Sequence, residues 1–528
     1  MAEGEELMAD LRIAYTEEMV GSGHPTKSDT LNRLALVEHN ADGTHKYLRN
    51  DTLDFDLREW LPEGFVTDGT ADYSSQIQEA VDYIESLASG TGGVLQLPLG
   101  YWHLGEGAAG LTLPEGITVR GQGRPEYVNG DMAGGTWLIY DGTGDCLKVD
   151  GEWSGFNARR NICLEGFGVK LTGANSFLNA DFLTQFRLTD LNVRGSSTYG
   201  IYALNSYNGL ASRVKIDGPD NALYFSIKDS PNDVFSGQML FEKCDFWNGT
   251  GKGIHIKTNV NVLAQMVFLA CHFKTNAYGA YIEGANMHRV NFRGCHFEAN
   301  TTNDLYVHSD VTQGPIVDGC HFNNTGTVYM MNCQGDKANI IGNEFAGTGT
   351  GWGILNNGDD NYIARNHFQG LANSKQIVVD TDATYSIIGK NTFSNSTGRV
   401  VDNSTAGTTS FEGETILESK EFDLSASVET EVKFVALRDY WIRDVSILYV
   451  EGTSGDAGVA LQFGDSDSLT RYVSHTSDVS QSNYTVVTPT LASAYIARNR
   501  KLTFRCAGSK TGAGTAKFVA RLLPFANI

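Results

Sequence analysis

Positive charge is scarce in this chain, and so are proline, paired cysteines and long apolar runs. Lys and Arg number 40 against 62 Asp and Glu, which gives a formal charge of −22 and an isoelectric point near 4.9. So acidic a surface repels phosphate backbones and anionic lipid, which argues against nucleic acid or a membrane surface as a partner. No apolar run approaches the roughly 18 residues of a membrane span, and the stretch from Met1 to Leu11 is too acidic for a secretory signal. Neither membrane insertion nor a route to secretion is therefore expected. The 8 cysteines form no Cys-x-x-Cys pair, so buried thiols are expected and a disulfide framework is not. The 10 prolines are outnumbered by 59 glycines, as suits many tight turns between short strands.

What the chain does have is a repeat, running from about Asn161 to Asn403. It begins with Leu164-Glu-Gly-Phe167 and Thr189-Asp-Leu-Asn-Val193 and sharpens at Phe241-Glu-Lys-Cys-Asp-Phe246. From there the closing Phe recurs at Phe273, Phe297, Phe322, Phe345, Phe368 and Phe393, in steps of 23 to 27 residues. Each unit holds short β-rich pieces separated by Gly and Asn, and none is long enough for a helix. A period near 24 without a helix fits three short strands per turn, each turn stacked on the last. The Leu-x-x-Leu-x-Leu pattern of leucine-rich repeats is absent, and propeller blades need about 40 residues. The fold class is all-β, a right-handed parallel β-helix.

The flanks differ from the repeat. Residues 1–50 read as a separate arm with helical candidates at Leu7–Met19 and Ser28–Glu38, neither able to bury a core alone. Residues 51–125 read as a capping region. There, Ile77, Ala80, Val81, Ile84, Leu87 and Ala88 fall at helical spacing after a cap at Thr70 or Asp72, and Gly90 is the expected stop. An amphipathic helix of this kind covers the open first turn of a solenoid and prevents edge pairing. Residues 126–410 make the β-helix proper, and residues 411–528 lose the period. In that last part, short alternating strands such as Val445–Val450, Val459–Phe463 and Lys517–Leu523 predict a β-sandwich that caps, trimerises or binds sugar.

Asp68-Gly-Thr-Ala-Asp72, the helix after it, Gly93-Val-Leu-Gln-Leu-Pro98 and Gly116-Ile-Thr-Val-Arg-Gly-Gln-Gly123 together resemble the opening of pectate-lyase-like β-helix proteins. Within that superfamily the nearest architecture is that of bacteriophage tailspikes and capsular polysaccharide depolymerases, over residues 51–403. The resemblance implies a homotrimer on the virion that binds and cleaves a bacterial surface polysaccharide outside the cell. It also implies that the arm before the motif attaches the protein to the phage tail. The opening motif marks the fold far more specifically than it marks any one reaction.

Alternation along each strand sorts the repeat into columns. On the Phe strand, Cys244, Cys271, Cys295 and Cys320 share parity with Phe and face inward. Asn343, Asn366 and Asn391 follow in the same column and predict a side-chain hydrogen-bond ladder at a bend. Outward lie Asp245, His272, His296, His321, Glu344, His367 and Thr392. Because the thiols point away from the imidazoles, the two columns cannot share an ion. Stacked, solvated rings are the reading, with no metal and no cofactor.

On the next strand Ile201, Leu223, Ile254, Ala280, Leu305 and Val328 face inward. The outward column is Tyr202, Tyr224, His255, Tyr281, Tyr306 and Tyr329. At the rung spacing those six rings span about 24 Å. They suit the flat faces of sugars, and stacking between rungs is the plain structural alternative. Two residues further along, Lys257, Glu283 and His308 follow one another, with Asp310 just beyond. Glu283 and Asp310 stand one rung and two residues apart, about 8 Å between backbones. Such a separation suits an inverting glycosidase, in which one carboxyl protonates the leaving oxygen and the other activates water. The competing chemistry is β-elimination on a uronic-acid polymer with Lys257, His308 or Tyr281 as base. The loops Asp229–Asp233 and Asp359–Asp360 are alternative carboxylate sources. A polysaccharide-binding adhesin needs the ring stripe but not the carboxylates, and an inert spike needs neither.

Overall fold

The computed structural model describes residues 54–524 outside a set of turns, among them 106–109, 152–157, 228–234, 259–261, 325–328, 348–351 and 452–458. The arm 1–50, Gly90 and the Asp229–Asp233 loop lie outside the described residues. What remains is almost wholly β, a right-handed parallel solenoid of about 11 turns followed by antiparallel sheets.

Each turn lays down strands on three faces. The first face is a parallel sheet of 16 strands running from Asp54–Asp56 to Ser410–Phe411. The second face carries the Phe strands and the third the Tyr strands. They merge into one 23-stranded sheet because Phe167–Asp181 and Asn192–Leu204 run across both without a break.

Phe246, Phe273, Phe297, Phe322, Phe345, Phe368 and Phe393 stack in register, with ring centroids 4.6 to 5.4 Å apart. Burying each ring contributes roughly 1.5–3 kcal/mol, and the stacking follows because parallel strands repeat at the same spacing. The first rungs depart from the sequence reading. Val169 pairs Val193, so Val169 and not Phe167 holds the column position. A rung built on Ile216 also intervenes between Val193 and Phe246, hidden because its ring is replaced by a β-branched side chain.

The corner before each Phe strand explains the thiol column. Arg213, Lys243, Ala270, Gly294, Gly319, Gly342 and Arg365 all sit at φ between 52° and 68°. This left-handed step turns the chain and points the next residue inward. That next residue is Cys244, Cys271, Cys295 or Cys320, buried with its Sγ–H donating to a carbonyl of the preceding rung at 3.2 to 3.4 Å. After Arg213 it is the buried Val214, and after Gly342 and Arg365 it is Asn343 and Asn366, with Asn391 continuing the column. Asn366 Oδ1 accepts from the Asn343 backbone N–H at 2.9 Å, and Asn391 Oδ1 from that of Asn366 at 2.9 Å. All eight cysteines are free thiols.

The N-terminal lid is the helix Ser74–Ala88, which buries Ile77, Ala80, Val81 and Ile84 against the first turns. Its cap is Asp72, whose carboxylate accepts from the Ser74 and Gly105 backbone N–H groups at 2.9 and 3.0 Å. At the far end, antiparallel sheets of 6 and 4 strands bury Tyr449, Phe463, Phe504 and Phe518 in a core of their own. These sheets fit the sandwich expected of the C-terminal part.

Candidate functional site

The third face carries the ring stripe. Tyr202, Tyr224, His255, Tyr281 and Tyr306 are register partners on successive rungs, each half-buried, with buried apolar neighbours on either side. Tyr202 and Tyr224 stack at 5.0 Å and 8°, and Tyr281 and Tyr306 at 4.8 Å and 15°. His255 stands edge-on between the two stacks, 5.0 Å from Tyr224 and 5.3 Å from Tyr281. Five rings therefore form a continuous strip about 20 Å long at the rung spacing.

Tyr329 does not belong to this strip. Tyr306 pairs with Asn332, and Tyr329 pairs with Trp352 three positions away. The inward residues of that rung are accordingly Met331 and Cys333, so Met331 is not the outward residue the sequence reading assigned, and Val328 lies outside the described residues. The cause is a substitution at a corner. Tyr199-Gly-Ile-Tyr202, Lys252-Gly-Ile-His255, Tyr278-Gly-Ala-Tyr281 and Trp352-Gly-Ile-Leu355 share a buried glycine. At Gly253 a Cβ would meet the Gly279 carbonyl oxygen at 2.5 Å, so the position is closed to most side chains. Tyr329-Met-Met-Asn332 puts methionine there and obscures the alignment.

The same pattern reveals a second column, running Tyr199, Asn221, Lys252, Tyr278, Asn303, Tyr329 and Trp352, that the alternation of a regular strand does not predict. Tyr199 packs 4.8 Å from Tyr202, and Tyr278 packs 5.2 Å from Tyr281, so the strip is two rings wide at these rungs. Between them stand Asn221 and, on the rung before Tyr278, Lys252. Its ammonium lies 3.9 Å from the Tyr281 ring centroid. It is also 3.3 Å from both ring nitrogens of His255, an equality that places it over the imidazole face. An open polar hollow lined by Gly173, Ala174, Ser197, Thr198, Gly218 and Asp220 adjoins the Tyr199 end.

Beside the strip the titratable side chains converge on one oxygen. His255 Nε2 lies 2.9 Å and Lys257 Nζ 3.2 Å from Glu283 Oε1. The His255 bond, followed by Lys257, outweighs burial and holds the Glu283 carboxyl down at about 2, so Glu283 is an anion across the ordinary pH range. Burial keeps His255 below the usual imidazole range, so its neutral Nε2–H donates. Burial pushes the Tyr281 hydroxyl up to about 12, with the Glu283 charge adding to the effect. Asp310, one rung on, is exposed, with Oδ2 at 3.2 Å from His308 Nδ1, and its charge also acts on the Tyr281 and Tyr306 hydroxyls. Glu283, Asp310, His308 and Lys257 thus share one neighbourhood, in two separate pairs. Asp359, the alternative carboxylate, is held by the backbone and hydroxyl of Thr384 at 2.6 Å each, a turn-stabilising role.

The second face holds the histidine column. His272 and His296 stack at 4.6 Å and 3° and His321 follows at 4.8 Å, as the sequence reading expected. His272, His296 and Glu298 bring ligand-type atoms within 4.8 Å of one another. Stacked imidazoles aim their in-plane lone pairs in parallel, and Glu298 already receives His272 at 3.2 Å and Lys274 at 3.1 Å. Neither feature converges on a common point.

Residues 165–322 match the family model described as the right handed beta helix region. No curated protein matches the chain. Among solved structures, the Dettilon tailspike protein aligns at 12% identity over 94% of this chain and 100% of its own, with a TM-score of 0.43. ORF18 of Geobacillus virus E2 aligns at 15% identity over 96% and 83%, TM-score 0.46. A DFA-IIIase from Arthrobacter chlorophenolicus A6 aligns at 13% identity over 64% and 98%, TM-score 0.49.

Proposed function

We propose that this chain is a tailspike-like depolymerase that binds a bacterial surface polysaccharide along its third face and cleaves it by glycosidic hydrolysis. The observation that carries the reading is the strip of five half-buried rings with an ionised carboxylate beside its middle ring. Rings in this setting offer flat faces to sugars while their inner neighbours, not they, fill the core.

The electrostatics divide the labour of the carboxylates. Glu283 is held as an anion, so it cannot be the proton donor. It takes the part of the base that activates water, or of the charge opposing an oxocarbenium-like transition state. Asp310, exposed beside the His308 imidazole, is then left to take the part of the acid. Lys257 and His255 position Glu283, and the Tyr281 hydroxyl, protonated at any working pH, can hydrogen-bond the sugar. The lyase alternative asks Tyr281, Lys257 or His308 to serve as base, and the raised Tyr281 hydroxyl and the Lys257–Glu283 ion pair oppose the first two.

The assembly follows from the first face. Leu210, Leu240, Val267, Ile316, Tyr362 and Ile387 fall on one outward column, interrupted only by Asn291 and Asn339. That apolar ladder supports the homotrimer that the family resemblance implies, with residues 1–50 attaching it to the virion. The test is on products. Incubated with a panel of bacterial capsular polysaccharides and exopolysaccharides, the protein is expected to release reducing ends without the ultraviolet absorbance of an unsaturated uronate. Glu283→Gln and Asp310→Asn are each expected to lower that release at least 100-fold, in line with the loss of an acid–base group. Absorbance rising together with reducing ends would replace hydrolysis by elimination, and full activity in Glu283→Gln would dismiss the site.

A further inference from the structure

Lys252 is a half-buried cation in the middle of the ring strip, without a counter-ion among the described residues. Lys252 approaches only the faces of Tyr281 and His255, and among the described residues no carboxylate lies within 4.0 Å of its ammonium. Glu283, the nearest anion acting on it, already receives both Lys257 and the His255 N–H on Oε1. Since His255 is neutral, Lys252, Lys257 and Glu283 leave one positive charge at this rung of a chain whose net charge is −22. The Asp310 carboxylate, one rung on, is engaged by His308.

A partly desolvated ammonium gains from two π faces, yet these are weak substitutes for water or a carboxylate. Lys252 also stands where the second ring column has a gap, between Tyr199 and Tyr278, so a sugar lying on Tyr224 and Tyr281 passes directly beside it. We propose that the third face is built for an acidic polysaccharide, and that Lys252 receives the carboxylate of one sugar while neighbouring rings stack on the tyrosines. Resting on the polysaccharide-binding reading above, this names the substrate class. Lys252 is a specificity residue, not a catalytic one.

The experiment is affinity electrophoresis through gels loaded with a panel of acidic and neutral bacterial capsular polysaccharides. Each acidic polymer is also presented after carbodiimide and borohydride reduction of its carboxyls to alcohols. Acidic polymers are expected to retard the protein most, and carboxyl reduction to weaken retardation at least tenfold. Lys252→Gln is expected to bind the native polymer about as weakly as wild type binds the reduced one, with little change toward the reduced form, and Lys252→Arg to keep the preference. If neutral or reduced polymers bind as well as acidic ones, or if Lys252→Gln weakens both forms equally, the inference fails while the glycan-binding reading stands. If no polymer retards the protein, that reading fails and this one with it. Circular dichroism and light scattering confirm that each variant is folded and assembled as wild type before it is scored.

Discussion

Asp304 shows how a single side chain can oppose the fold that contains it. Its carboxyl is wholly buried on the third face, beside a corner ladder of Asn276, Asn300 and Asn324. The amide N–H of Asn300 donates to its Oδ1 at 2.7 Å, while Oδ2 has no partner. Burial dominates and lifts the carboxyl to about 7 from an ordinary 3.8. Between those values the folded chain keeps the proton and the unfolded chain releases it. The unfolded state then binds fewer protons, so stability falls as pH rises from about 4 to about 7, by ~4 kcal/mol for a shift of this size. Asp304→Asn is expected to remove that slope and to raise the melting temperature at pH 8 more than at pH 4. Parallel melting curves for the two proteins across that range would refute the assignment. At this scale the sequence was most and least legible. The inward or outward sense of Ile254, His255 and Ile256 follows from alternation alone. Lys252 could not be read that way, because a glycine corner precedes the strand and its side chain reaches across to rings on another rung.

At the scale of elements, the repeat was readable because each rung reuses one solution. A left-handed residue, a buried Cys or Asn, then a buried ring recur, and stacking turns that recurrence into the Phe ladder. What escaped were the rungs where one part is exchanged. Ile216 replaces the ring and hides a rung, and Met330 replaces a glycine and shifts Tyr329 out of the strip. Register in a solenoid is set by corner length, which composition does not report. The first-face ladder is the element with an unmet demand. Ile387 remains 43% exposed there, an aliphatic left out of the core. Light scattering is expected to give three times the 57.4 kDa chain mass, and Leu240→Asp with Val267→Asp to lower it to that of one chain. A wild-type monomer would remove the first face as an interface.

For the whole molecule, the three faces divide the work. The first carries an apolar ladder beside charged residues, the second a column of imidazoles and carboxylates, and the third joins rings to charge. The opening motif at Asp68–Gly123 announced the solenoid, and the alternating strands after residue 411 announced the sandwich. The faces became distinguishable only once the corners were placed. The central claim is that the third face, and no other, holds the glycan. The most direct measurement compares two variants against wild type on a polysaccharide that retards it in a native gel. Tyr224→Ala with Tyr306→Ala removes rings from the third face, and His296→Ala opens the column on the second. The account predicts that the paired tyrosine variant loses at least tenfold in affinity, on the order of 1–3 kcal/mol for stacked rings, while His296→Ala binds as wild type. Undiminished binding by the tyrosine variant, or its loss in His296→Ala, would contradict it.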